Sequence, residues 1–153
     1  MTDVDKGATS VTLEERLEAI PLPVSDIDRA KQFYEKLGWR LDIDFVAPGG
    51  NFRIVQFTPP GSPCSIQFGT AATSAKPGSV QGLLLVVKDI EAAHDDFAQR
   101  GVKIGDVYHV TLGKGPEPGP APMHVSYASF ADFNDPDGNG WKLQEIRQRL
   151  PGR

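Results

Sequence analysis

Few side chains in this sequence are equipped for chemistry. The histidines are His94, His109 and His124, and there is one cysteine, Cys64. His94 falls within a helical pattern at a solvent-facing position. His109 ends an expected strand, and His124 ends a long Gly/Pro-rich segment. Together with Glu145, these last two would give a divalent ion three nitrogen and oxygen donors. They follow no metal-binding spacing, and polar loop histidines are the simpler reading. Cys64 follows a proline turn at a strand start. A nucleophilic thiolate needs a base and an electropositive setting, and the sequence offers no clear partner, so a structural thiol is expected. The aromatics Trp39, Phe45, Phe52, Phe57, Phe68, Tyr127, Phe130, Phe133 and Trp141 read mostly as core packing, with one or two free to form a stacking wall for a flat ligand.

The elements that would position these residues are short. The chain has 153 residues, enough for one domain or two half-size modules sharing a core, and a net charge of −4 with acids and bases mixed. No basic run points to nucleic acid or an anionic membrane, and no apolar stretch reaches the ~20 residues of a membrane span. Met1 to Ser10 is polar, with Asp3 and Asp5, and lacks the basic start and apolar middle of a secretion signal. With one cysteine no internal disulfide forms, so a cytoplasmic location is expected. The 16 glycines and 13 prolines cluster at 48–50, 59–63, 77–82 and 113–122, the pattern of short strands joined by tight turns.

An internal repeat organises the chain. Leu22-Pro23-Val24-Ser25-Asp26-Ile27-Asp28 pairs with Leu85-Val86-Val87-Lys88-Asp89-Ile90-Glu91 at an offset of 63. The same offset carries Ala30 onto Ala93, Tyr34 onto Phe97, Gly38 onto Gly101 and Leu41 onto Ile104. In the first copy Ser25 is the expected N-cap, with Asp28 as its capping-box partner. Ile27, Ala30, Tyr34 and Leu37 make the buried stripe, and Gly38 ends the helix. In the second copy Ile90, Ala93 and Phe97 make the stripe and Gly101 ends it. Strands are expected at 17–24, 39–45, 51–58 and 64–69, then at 82–87, 102–108, 126–133 and 141–146. Each copy is therefore βαβββ. Ile66-Gln67-Phe68 matches Trp141-Lys142-Leu143 at an offset of 75, so the second copy carries about twelve extra residues, visible as the Gly/Pro-rich run 113–122. That run is excluded from helices and inner strands and suits a lid or binding loop over 109–125. Pro21 and Pro23 both lack an N–H toward one side of the first strand, which predicts an incompletely paired seam where modules or subunits meet.

Paired βαβββ modules that end in Asp135-Pro136-Asp137-Gly138-Asn139-Gly140-Trp141 resemble the vicinal-oxygen-chelate superfamily of glyoxalases, bleomycin-resistance proteins and extradiol dioxygenases. The opening Val24-Ser25-Asp26-Ile27-Asp28-Arg29-Ala30-Lys31-Gln32-Phe33-Tyr34 is similar to that family's first helix start. The resemblance implies an α+β fold in which two modules (17–70 and 80–147, within a single domain 16–147) form a curved, half-open sheet around a cavity. A flexible arm over 1–15 and a tail over 148–153 would flank it. Homodimers are also implied, some built by exchanging modules. The family's enzymes hold one divalent metal through the first and last strands of each module. The corresponding positions here are Ala19, Gly82, Gln67 and Lys142. Two have no ligating side chain, one is a cation, and Gln67 is a weak donor, so no metal or other cofactor is expected. A one-residue slip of the last strand would instead bring Glu145 to the cavity. Two functions follow. The first is a metal-free protein binding a partly apolar small molecule under the 109–125 loop, with Gln67, Lys142, Trp141, Tyr127 and His124 as its contacts. There Lys142 would either meet an anionic ligand or have its pKa depressed by desolvation. The alternative is a glyoxalase-like lyase, isomerase or dioxygenase with a displaced metal held by His109, His124 and Glu145.

Overall fold

The computed structural model describes residues 12–153, so most of the N-terminal arm lies outside the described residues. The first module runs β1 (Ala19–Pro21), α1 (Ile27–Lys36), β2 (Arg40–Val46), β3 (Arg53–Thr58) and β4 (Ser65–Gly69). The second runs β5 (Leu83–Val87), α2 (Ile90–Gln99), β6 (Tyr108–His109), β7 (Glu117–Pro118), a 3₁₀ turn (Pro122–His124), β8 (Ser129–Asn134) and β9 (Gly140–Glu145). The strands form two separate sheets, a four-stranded one ordered β1-β4-β3-β2 and a five-stranded one ordered β5-β9-β8-β6-β7.

The repeat is visible in the register. Ile20 lies opposite Ile66 and Pro21 opposite Gln67, as Leu83 lies opposite Trp141 and Leu84 opposite Lys142. Both offsets read from the sequence therefore hold at once, and the slip that would turn Glu145 to the open face is absent. Trp141, Leu143 and Glu145 are buried, whereas Lys142 and Gln144 are half-buried on the other side.

Both helices cover the same side of their sheets, and these sides share one core. Tyr34, fully buried on α1, packs on Trp39 at 5.2 Å, Phe68 at 5.8 Å and Phe57 at 6.1 Å in its own module. It reaches Trp141 of the other module at 6.3 Å. Phe33 and Phe97 meet on Phe133. Burial of this many large rings is the main favourable term, at ~1.5–3 kcal/mol for each.

The Asp-Pro-Asp-Gly-Asn turn fastens the modules together. The Asp137 carboxylate accepts from the Ser25 amide at 3.1 Å, the Ser25 hydroxyl at 2.6 Å and Arg29 at 3.1 Å. Fully buried Asn139 donates to the Pro23 carbonyl at 2.9 Å and to Asp135 at 2.8 Å, and accepts from the Val80 amide at 3.2 Å. The Tyr34 hydroxyl donates to Asp135 at 3.0 Å and accepts from the Trp141 indole at 3.1 Å.

This fastening corrects the expected cap. Ser25 is drawn into the lock, and Asp26 caps α1 by accepting from the Arg29 amide at 3.0 Å. Asp28 binds Arg53 instead of completing a capping box. Asp89 caps α2 in the same manner, and Gly38 and Gly101 end the helices at φ 76° and 84°.

Two strands depart from expectation. The first, expected over 17–24, pairs only through Ala19–Pro21 before Pro23 and the lock take over. The strand expected over 102–108 is broken. Ile104 bridges Phe133 and Tyr108 pairs with Phe130, so four steps on one side meet three on the other. The Gly105 amide still bonds the Asp132 carbonyl, so the irregularity falls between Gly105 and Tyr108. Within the Gly/Pro-rich run, Glu117–Pro118 adds an edge strand beside β6, a place where proline is tolerated. β1 also lies at a sheet edge, so among the described residues the prolines of the expected seam face no strand.

Candidate functional site

Because the helix sides of both sheets meet in one core, the opposite faces point away from it. Side chains directly opposite across a sheet share a face. On the first module one such row is Ile43, Gln56, Gln67 and Pro21, and the next is Phe45, Ile54 and Gly69. On the second module the rows are Leu84, Lys142 and Asp132, then Val86, Gln144, Phe130 and Tyr108. Ile43, Phe45, Leu84 and Val86 are all exposed, so each face combines apolar flanks with a polar centre. Gln67 and Lys142 occupy equivalent places at those two centres.

On the second face the Lys142 ammonium donates to the Tyr108 hydroxyl at 2.7 Å and stands 3.4 Å from Asp132. The Tyr108 hydroxyl donates onward to both Asp132 oxygens at 3.1 Å. Lys142 also lies 5.4 Å from the Phe130 ring centre and 5.5 Å from that of Tyr108, within cation–π range. The Tyr108 hydrogen bond, reinforced by Asp132, raises the Lys142 pKa above its ordinary value. The desolvated, depressed lysine entertained from sequence is thus corrected to a stably charged one. Phe130 stacks on Tyr108 at 5.7 Å and forms the floor of a cavity of about 690 Å³ beneath the Gly/Pro-rich loop. Val110, Leu112, Pro122, Val125 and Tyr127 line its walls. Met123, His124 and Tyr127 hold left-handed backbone at φ 57°, 49° and 73°, conformations that cost energy for side-chain-bearing residues.

The residues expected from sequence fall into two groups. Gln67, Lys142 and Tyr127 lie on an open face or in the cavity wall. Trp141 is 5% exposed in the core, on the opposite side of β9 from Lys142, because alternate residues of a strand face opposite ways. It is therefore withdrawn from the ligand contacts. His124 is partly exposed, with its Nδ1 3.0 Å from Glu145. Glu145 is fully buried and accepts the Ile90 amide at 2.9 Å, at the positive end of α2. His109 turns elsewhere, with Nδ1 2.8 Å from the Gly119 carbonyl and Nε2 3.3 Å from Glu117. His109, His124 and Glu145 consequently do not converge, and among the described residues no three His, Cys, Asp or Glu side chains gather as a metal site would require. Tyr108 and Phe130 complete the site. In the sequence Phe130 is one aromatic among many and Tyr108 only ends an expected strand, so neither carries a signal of its own.

The positions through which the resembling enzymes hold metal do not fit one here. Ala19 and Gly82 bring no donor, the Lys142 ammonium is cationic and engaged, and the Gln67 amide is tied to Gln56 at 2.7 Å. Cys64 is partly buried, and burial pushes its thiol pKa up, the reverse of an activated nucleophile.

The profile of the Glyoxalase/Bleomycin resistance protein/Dioxygenase superfamily matches residues 16–143. This chain belongs to that superfamily. Among solved structures it is similar to TnmS3, an antibiotic binding protein from Streptomyces sp. CB03234, at 31% identity and a TM-score of 0.65 over 89% of this chain and 99% of that one. A glyoxalase/bleomycin resistance protein from the same organism gives 31% identity and a TM-score of 0.61, covering 85% and 100% of the two chains. A superfamily member from Sphaerobacter thermophilus DSM 20745 gives 29% and 0.62, covering 86% and 98%. No curated protein matches the chain significantly.

Proposed function

We propose that this protein binds a partly apolar small molecule without a metal ion. The observation that carries the reading is the cavity of about 690 Å³ floored by Phe130, whose ring touches the Lys142–Tyr108–Asp132 cluster. Its size lies within the ~300–1,000 Å³ of small-molecule sites, and apolar walls with a few convergent polar groups are what such sites share. Charged Lys142 would meet an anionic or carbonyl group, and Phe130 and Tyr108 would stack against a flat one. Similarity to an antibiotic binding protein supports the same class of ligand.

A second copy of the chain completes the site in this reading. The two open faces of one chain point apart, so the face bearing Gln67 can close over a ligand at Lys142 only from a partner. The exposed Ile43, Phe45, Leu84 and Val86 would supply the apolar contact between copies.

Calorimetric titration with a panel of polycyclic aromatic antibiotics tests the reading. Binding to the wild type, weakened at least tenfold by Phe130→Ala, is the expected result. No binding across the panel, together with one equivalent of metal retained on purification, would point to the enzymes of the family instead.

A further inference from the structure

The open face of the first module carries a hydrogen-bond chain with a defined direction. β2 and β3 lose register between Leu41 and Ile43: Leu41 lies opposite Phe57 and Ile43 opposite Gln56, leaving Asp42 as the extra residue of a bulge. Bulges re-aim side chains, and this one brings the Asp42 carboxylate to Gln56 and Thr58. The same Asp42 oxygen accepts from Gln56 Nε2 at 3.1 Å and from the Thr58 hydroxyl. The other accepts from Arg40 at 2.6 Å. Ser65 lies 2.7 Å from Thr58, and Gln67 Nε2 donates to Gln56 Oε1 at 2.7 Å.

One carboxylate decides every orientation in this chain. The Thr58 hydrogen bond, with help from Arg40 and Gln56, lowers the Asp42 pKa, so at neutral pH it only accepts. Gln56 must therefore turn its NH₂ toward Asp42 and its carbonyl toward Gln67. Gln67 must in turn point its NH₂ at Gln56 and its carbonyl oxygen away. Thr58 spends its proton on Asp42, so Ser65 donates to Thr58. Among the described residues nothing donates to Gln67 Oε1, which remains the acceptor at the centre of the open face.

We propose that Asp42 is a positioning residue that fixes Gln67 with its carbonyl oxygen outward, so that the first module's face selects ligands carrying a hydroxyl or N–H donor. The inference rests on the reading of the open faces as a small-molecule site and specifies what one of them recognises. Sites built to bond a donor discriminate strongly against analogues that lack it, because the buried acceptor is left unpaired.

The test compares 2-naphthol with 2-methoxynaphthalene, which differ in that one donor, by fluorescence titration of the full chain. Wild type is expected to prefer 2-naphthol by about tenfold or more. Asp42→Ala frees both amides to rotate and should reduce the preference to near unity while leaving affinity for the methyl ether unchanged. Asp42→Asn nearly keeps the shape but must turn its one carbonyl to Arg40, which can only donate, and its NH₂ to Gln56 and Thr58. It reverses the chain and should also lose the preference, which a merely structural role for the side chain would not predict. Gln56→Leu breaks the chain one link nearer the ligand and serves as the second variant should Asp42→Ala fail to fold. A preference that survives in Asp42→Ala or Gln56→Leu would overturn the inference and leave the binding reading intact. Failure of wild type to bind either probe would overturn both.

Discussion

At the scale of single residues, some ionisable groups act on stability before they act on ligands. Glu145, fully buried against the start of α2, is expected to lose about 1–3 kcal/mol when replaced by Gln, since a charge-assisted bond to the Ile90 amide and the pairing with His124 both weaken. The shift in urea midpoint checks this. Asp44 gives the pH dependence. Hydrogen bonds from Arg53 and Lys31 hold its carboxyl far below the usual value of 3.8. A depressed folded-state pKa stabilises fully above the unfolded value and is lost as pH falls beneath it. Asp44→Asn should therefore be less stable than wild type at pH 7, with the gap narrowing steadily as pH falls below about 4, as urea midpoints measured at successive pH values would report. Residue roles were only partly legible in the sequence. Gln67 and Lys142 could be placed because the repeat fixes their register. Tyr108 could not, because its position on the open face depends on the irregularity just before it, which no local pattern announces. Asp42 was missed for the same reason.

At the scale of elements, the helices were readable because their apolar stripe, capping aspartates and terminal glycines are local signals. The first strand was overextended because Pro23 and Ser25 are committed to a turn more than a hundred residues away. That turn predicts where the fold is most fragile. Asn139→Ala should cost about 2–4 kcal/mol, because three buried hydrogen bonds lose their partner. Gly78, at φ 79°, passes so close to the Asp137 carbonyl that an added Cβ would collide with it. Gly78→Ala should therefore destabilise as well, by about 1–3 kcal/mol. Chemical denaturation of both variants, with far-UV dichroism to confirm retained strand content, measures these effects.

At the scale of the whole molecule, two expectations concern what the chain carries and what it meets. Protein purified without chelators or an affinity tag should contain well under one equivalent of divalent metal, and its melting temperature should not move with EDTA, Ni, Zn, Mn or Fe(II). One metal per chain with a shift of several degrees would sink the metal-free reading. Sedimentation should show a dimer, and Phe45→Asp or Val86→Asp should drive it to monomer without unfolding it, since both side chains are exposed on the faces assigned to the partner. The superfamily was legible from the repeat and the closing turn. The direction of the open faces was not, because it depends on how the modules dock rather than on how each one folds.

The lock at Asp137 also has a bearing on synthesis. Ser25 and Asp137 are 112 residues apart, so the start of α1 stays unsealed until Asp137 has been made. At ~5–20 residues per second the nascent first half waits on the order of ten seconds, with the rings that will meet Trp141 still uncovered. Exposure of that first half to chaperones is therefore set by how soon the closing turn emerges rather than by its own sequence alone.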